Sequence, residues 1–103
     1  MIMNEKPKKL KKINPELEPG DRIVLVYMDD YTTPVPIGSK GIVHEDPDTY
    51  KLNRPKFSGK GCGYAYAVTW YDDNGKYIGK LPLEPDDDSW IYDKEYYENE
   101  YNS

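Results

Sequence analysis

The sequence predicts a small all-β fold: a five-stranded barrel with a long inserted loop and charged terminal tails. Three observations carry that prediction. Arg22 to Met28 is a strand-forming apolar run behind the turn Pro19-Gly20-Asp21. Tyr64-Ala65-Tyr66-Ala67-Val68-Thr69-Trp70 alternates large and small side chains with the period of two that a half-buried strand requires. Asp72-Asp73-Asn74-Gly75 then signals a hairpin, because Asn-Gly suits the two positive-φ positions of a type I′ turn.

Taken in order, residues 1–19 read as a basic arm. Lys8-Lys9 and Lys11-Lys12 repel one another, and Pro7, Pro15 and Pro19 interrupt regular hydrogen bonding. Leu10, Ile13 and Leu17 have the spacing of a short amphipathic turn, which Pro15 keeps from extending. The barrel is placed at 20–92. In its first strand Ile23, Leu25 and Tyr27 share one face while Val24, Val26 and Met28 share the other, so partial cover on both sides is expected. Asp29 to Ile37 reads as a loop stiffened by Pro34 and Pro36, neither of which can donate to a ladder. Gly38 and Gly41 can supply positive φ angles for a tight turn before a short strand at Ile42-Val43.

Residues 44–63 are too long for an ordinary hairpin connection and read as a loop. Its first half is acidic (Glu45, Asp46, Asp48) and its second basic (Lys51, Arg54, Lys56, Lys60). Lys76 to Lys80 returns from the hairpin as a strand, Leu81 to Pro85 closes with a short helical turn, and Ser89 to Tyr92 supplies a last strand. The tail at 93–103 pairs Tyr92 with Tyr96, Tyr97 with Tyr101 and Lys94 with Glu98 at helical spacing. A helix of about ten residues is marginal alone in water, so fraying is expected. Strand, proline-stiffened loop, Gly-x-x-Gly turn, further strands and hairpin together follow the order of a small SH3-like β-barrel.

Composition sets limits on this picture. With 103 residues and 37 % hydrophobic content, the chain supports one domain with a small core. Cys62 is the only cysteine, so no internal disulfide can form and a reducing cytoplasm is expected. No signal-peptide pattern opens the sequence, and the longest apolar run, Ile23 to Met28, is too short to span a bilayer. Eleven tyrosines against one phenylalanine suggest rings at boundaries, covered while their hydroxyls stay wet. The net charge of −5 is unevenly spread, basic over residues 1–12 and strongly acidic over 84–103. Global acidity disfavours non-specific adhesion to nucleic acid.

The ordered motifs resemble a small bacterial and bacteriophage domain family of unknown function. The residues that carry the resemblance are Gly20-Asp21-Arg22-Ile23, Met28-Asp29-Asp30, and Pro34-Val35-Pro36-Ile37-Gly38-Ser39-Lys40-Gly41-Ile42-Val43. Trp70, Asp72-Asp73-Asn74-Gly75, and Leu81-Pro82-Leu83-Glu84-Pro85 with Asp88 and Trp90 complete it, over about residues 20–92. The chain departs from the family pattern in extra residues between Trp70 and Asn74, in the longer loop at 44–63, and in Asp86, where a glycine is usual. The resemblance implies an SH3-like barrel, often virus-encoded and then acting in the host cytoplasm. It implies no catalytic residues.

The chemistry available to the side chains favours binding over catalysis. One histidine and one cysteine cannot make a structural zinc site, and Asp86-Asp87-Asp88 lacks the ligand spacing of a calcium loop, so it reads as a solvated acidic turn. Cys62 with His44 as base would need the long loop to fold back on itself. Gly59-Lys60-Gly61-Cys62-Gly63 lacks the spacing of a phosphate cradle. No catalytic residue, metal or cofactor is therefore expected. The leading expectation is a protein-binding groove formed by Asp29, Asp30, Tyr31, Trp70, Pro82 and Trp90, although Trp70, on the alternating face, reads more readily as core. The alternative is RNA or DNA binding through Lys8, Lys9, Lys11 and Lys12 of the arm with Lys51, Arg54, Lys56 and Lys60 of the loop. A third reading is nucleic-acid mimicry by Asp86, Asp87, Asp88, Asp93, Glu95, Glu98 and Glu100. Asp21 and Arg22 read as surface residues that set strand register.

Overall fold

Side chains that alternate between covered and more open along Arg22–Leu25, Lys40–Val43, Val68–Tyr71 and Ser89–Tyr92 set the architecture. The computed structural model describes residues 12–28, 35–53 and 63–102, the side chains of 100–102 excepted. Its elements are β1 (Arg22–Tyr27), β2 (Lys40–Val43), β3 (Lys51–Asn53), β4 (Tyr64–Tyr66), β5 (Val68–Tyr71), β6 (Tyr77–Lys80), β7 (Ser89–Tyr92) and α1 (Lys94–Asn102). Five strands form an antiparallel sheet in the order β6-β5-β2-β1-β7, and β3 pairs with β4 in a second, two-stranded sheet. This is the small all-β fold expected from the sequence. The last strand returns to pair with the first, and the four others neighbour one another in a meander.

The inward residues are Ile23, Leu25, Val43, Tyr66, Val68, Trp70, Leu83, Trp90 and Tyr92. The alternation through Tyr66, Val68 and Trp70 therefore keeps its phase. Ladder pairing is interrupted at Ala67, dividing the expected single strand into β4 and β5 while both continue along one partner: Tyr66 and Leu83 exchange backbone hydrogen bonds at 2.9 Å. Ala67 instead donates to the Tyr50 carbonyl and accepts from the His44 amide. This pairing corrects the reading of 44–63 as loop throughout, because Lys51, Leu52 and Asn53 lie opposite Tyr66, Ala65 and Tyr64.

Several local expectations change once neighbours are present. Tyr27 is 50 % exposed rather than facing inward with Leu25, because an irregularity in the β1–β7 pairing falls between these two residues. Gly38 has φ +93° at the third position of a turn closed by the Ser39 amide on the Pro36 carbonyl, the geometry of a type II turn. Gly41 has no positive φ. It lies in β2 opposite Trp70, and a Cβ there would stand 2.7 Å from Val68 Cγ1 and 2.8 Å from Trp70 Cζ3. Its absent side chain makes room for the indole. At 72–75 only Gly75 is left-handed, with φ +81°, so the hairpin is not the expected type I′ turn. The Asp72 carboxylate accepts from the amides of Asn74 and Lys76 and holds the turn from within.

Residues 14–17 of the expected arm and part of α1 in the expected tail pack onto the body. Leu17 is 1 % exposed, and Pro15 is buried beside it. Asp93 caps α1 through the Tyr96 amide, and Tyr97 reaches the core. The Tyr97 hydroxyl accepts from the Arg22 amide at 2.9 Å and donates to Asp21 Oδ1 at 3.1 Å. Asp21 Oδ2 accepts from the Glu18 amide at 2.8 Å. Asp21 is thus a buried junction of three segments, not a surface residue. Asp88 is likewise buried and accepts from the Glu84 amide at 2.8 Å, so only Asp86 and Asp87 remain as a solvated turn.

Two outcomes follow. Gly41→Ala drives a methyl group into Val68 and Trp70 and should cost about 1–3 kcal/mol in urea unfolding. Burial pushes the hydroxyls of Tyr66 and Tyr97 well above their ordinary value of 10.0, against the lowering effect of the amides they accept from. A group whose folded value is raised stabilises fully below its unfolded value and loses that contribution as pH climbs. The contribution of these two groups should therefore be constant below about pH 10 and fall above it, with the two tyrosines ionising together with unfolding in an absorbance titration.

Candidate protein interface

The two edges of the five-stranded sheet are treated differently. Beyond β7, Asn14 adopts φ +51° and meets Trp90 as a neighbouring strand would: its amide donates to the Trp90 carbonyl at 2.8 Å, and its Oδ1 accepts from the Trp90 amide at 2.9 Å. The next residues are held by aromatic tips. Trp90 Nε1 donates to the Pro15 carbonyl at 3.0 Å, the Tyr92 hydroxyl donates to the Glu16 carbonyl at 3.0 Å, and the Tyr66 hydroxyl accepts from the Leu17 amide at 3.2 Å. Residues 14–17 therefore form a strap that seals this edge. These hydroxyls bond protein backbone rather than water, which corrects the expectation for this part of the tyrosine complement.

At the opposite edge, β6, no second strand pairs among the described residues; its one strand neighbour there is β5. Tyr77 is 57 % and Ile78 38 % exposed, and Lys76 and Lys80 flank them on the surface. Neither lysine has an ion pair among the described residues.

The outward face of the sheet leads to this edge. Arg22, Ile42, Thr69 and Lys80 are successive cross-strand partners, as are Lys40, Tyr71 and Tyr77 in the adjoining row. A cleft of about 410 Å³ lies between Arg22, Lys40, Ile42, Tyr71 and the 72–75 turn. It shares Ile42 and Tyr71 with a second hollow of about 310 Å³, which in turn shares His44 and Thr69 with a third of about 180 Å³. The third has almost entirely apolar walls, among them Leu52, Leu81 and Pro82, and ends beside Lys80. The charges at the far end are already engaged. Arg22 lies 4.4 Å from the Tyr96 ring centroid, and Lys40 Nζ is 3.9 Å from Asp93 and 3.7 Å from Glu95. Among the described residues of this sheet and its hairpin, Lys76 and Lys80 are the exposed cations that no acid pairs with.

The residues singled out in the sequence are dispersed. Asp29, Asp30 and Tyr31 lie outside the described residues. Trp70 is fully buried with Nε1 bonded to the Leu81 carbonyl at 3.1 Å, and Trp90 is buried beneath the strap, so neither lines an open groove. Of the described members of that set, only Pro82 stands on the surface, at the third hollow. Of the basic set, Lys8, Lys9, Lys11, Arg54, Lys56 and Lys60 lie outside the described residues, as does Cys62. Lys12 is exposed, and Lys51 is half-buried among tyrosine rings. Of the acidic set, Asp88 and Asp93 turn inward, Glu95 faces Lys40, Glu98 pairs with Lys94 at 3.9 Å, and the Glu100 side chain is outside the description. Among the described residues no three His, Cys, Asp or Glu side chains are grouped to hold a metal ion, and no helix is long and apolar enough to cross a membrane. The exposure of Tyr77 and Ile78 was not legible in the sequence, because it depends on β6 being last in the sheet.

A family model described as a domain of unknown function (DUF4314) matches residues 6–53. The matched stretch takes in the strap and β1 to β3 and holds the first three motifs of the family resemblance; the hairpin and closing motifs lie beyond it. No curated protein and no solved structure matches the chain.

Asn14→Ala removes the acceptor for the Trp90 amide and leaves a left-handed alanine. It should cost about 1–2 kcal/mol and accelerate hydrogen exchange at the Trp90 amide while leaving that of Trp70 largely unchanged.

Proposed function

We propose that this protein is a non-enzymatic protein-interaction module that takes an extended segment of a partner along β6. The observation that carries the reading is the asymmetry of the edges: one is closed by the chain's own strap, and the other has no further strand among the described residues and lies beside exposed apolar side chains. An added strand would satisfy the outward backbone groups of β6, and the apolar hollow at Leu52, Leu81 and Pro82 would receive a side chain. Lys76 and Lys80 discourage indiscriminate edge pairing, so the complementary segment carries acids opposite them and apolar residues between. At a finer level the reading is an SH3-like barrel, supported by the strand order β6-β5-β2-β1-β7. The family resemblance extends it to a bacteriophage accessory protein acting on a host component.

The test is capture of partners from a bacterial lysate by the full chain, with and without nuclease, followed by titration of the captured protein. The double variant Tyr77→Lys and Ile78→Lys should fold with a stability change within about 0.5 kcal/mol and bind the captured partner at least about tenfold more weakly. Nuclease-sensitive capture, abolished by charge reversal at Lys8, Lys9, Arg54 and Lys56 but not by the β6 variant, would overturn it in favour of nucleic acid. Loss of binding only on neutralising acids of 84–103 would favour mimicry.

A further inference from the structure

We propose that Tyr50, Tyr64 and Tyr66 form an aromatic cation site, filled in the resting chain by the ammonium of Lys51, that accepts an alkylammonium group from outside. The proposal uses none of the residues assigned to the β6 interface and stands or falls separately from it. Lys51 lies on β3 directly opposite Tyr66 of β4, with Tyr64 two residues along the same strand and hence on the same face. Its Nζ is 4.5 Å from the Tyr64 ring centroid, 5.8 Å from that of Tyr66 and 6.0 Å from that of Tyr50. The rings make three walls. Tyr50 and Tyr66 are near-parallel, with an interplanar angle of 27° and centroids 6.3 Å apart, while Tyr64 stands at 78° to Tyr66 with centroids 5.4 Å apart.

No carboxylate pairs with Lys51 among the described residues. The charge is met by π faces, whose negative quadrupoles attract any cation placed over them. A primary ammonium is strongly hydrated and loses much of that hydration on entering such a site. A quaternary ammonium gives up less, which makes it the better occupant. Two features keep the site ready. The Tyr66 ring is fixed by burial and by its hydroxyl on the Leu17 amide, and Tyr64 packs against the core cluster. Lys51, by contrast, sits on a flexible four-carbon stem and can swing into water by changing rotamers, with the β3–β4 ladder intact.

The test titrates full-length wild type and Lys51→Ala with choline, with its uncharged carbon analogue 3,3-dimethylbutan-1-ol, and with a short peptide carrying trimethyl-lysine. Upfield ring-current shifts of the N-methyl protons report binding. Lys51→Ala should bind choline about tenfold more tightly than wild type does, and about tenfold more tightly than it binds the uncharged analogue. Adding Tyr64→Leu should abolish saturation. The tighter of choline and the peptide identifies whether the source is a small molecule or a modified protein. Equal affinity for choline and its analogue, or for wild type and variant, overturns the proposal. Should Lys51→Ala fail to fold, the same question is put to wild type: choline at high concentration must relieve the ring-current shifts of the Lys51 side chain, and unchanged Lys51 resonances overturn the site.

Discussion

Tyr66 is the side chain through which the parts of this structure meet. Its hydroxyl accepts from Leu17 of the strap, its ring meets Trp90 edge-on at 6.0 Å, and its backbone joins Leu83 on one side and Lys51 on the other. A phenylalanine would fill the same volume but leave the buried Leu17 amide without its acceptor, a loss that costs more than the bond contributes. A chain with few aliphatic residues thereby closes its core. Tyrosine and tryptophan rings supply apolar area, and their polar tips absorb backbone groups that burial would otherwise strand.

The same economy explains why the termini matter. The strap is tied down by Trp90, Tyr92 and Tyr66, and α1 is tied down where Tyr97 reaches Asp21 and the Arg22 amide. With one sheet edge and the start of β1 protected in this way, β6 is the edge of the five-stranded sheet that the strap does not reach. Electrostatics points the same way. Acids at the start of α1 neutralise Lys40, and Tyr96 covers Arg22, whereas Lys76 and Lys80 face solvent. A protein with net charge −5 thus still presents a local basic edge.

Much of the fold was legible because strand signals are local. Ile23 with Leu25, Tyr66 with Val68 and Trp70, and Trp90 with Tyr92 alternate in a way that the final packing preserves. The misreadings have a common cause. Gly41 looked like a turn residue because glycine tolerates positive φ, yet its use here is to admit Trp70, which is 29 positions away in sequence. Trp90 looked like groove lining because nothing near it in the sequence reveals that Asn14 and Pro15 lie across it. β3 was hidden inside a charged loop because three residues with one apolar side chain carry too little periodicity to announce a strand.

The sequence by itself determined the all-β class, the placement of most strands and the inward phase of the central ones, since a period of two is written in neighbouring residues. Only the tertiary structure decided that Asp21 and Asp88 are buried acceptors, that residues 14–17 are a strap, and which sheet edge that strap covers. Those features rest on hydrogen bonds such as Leu17 to Tyr66 and Trp90 to Pro15, between residues 49 and 75 positions apart. Such bonds exist only after the chain has closed, and no local pattern encodes which distant partner will be there.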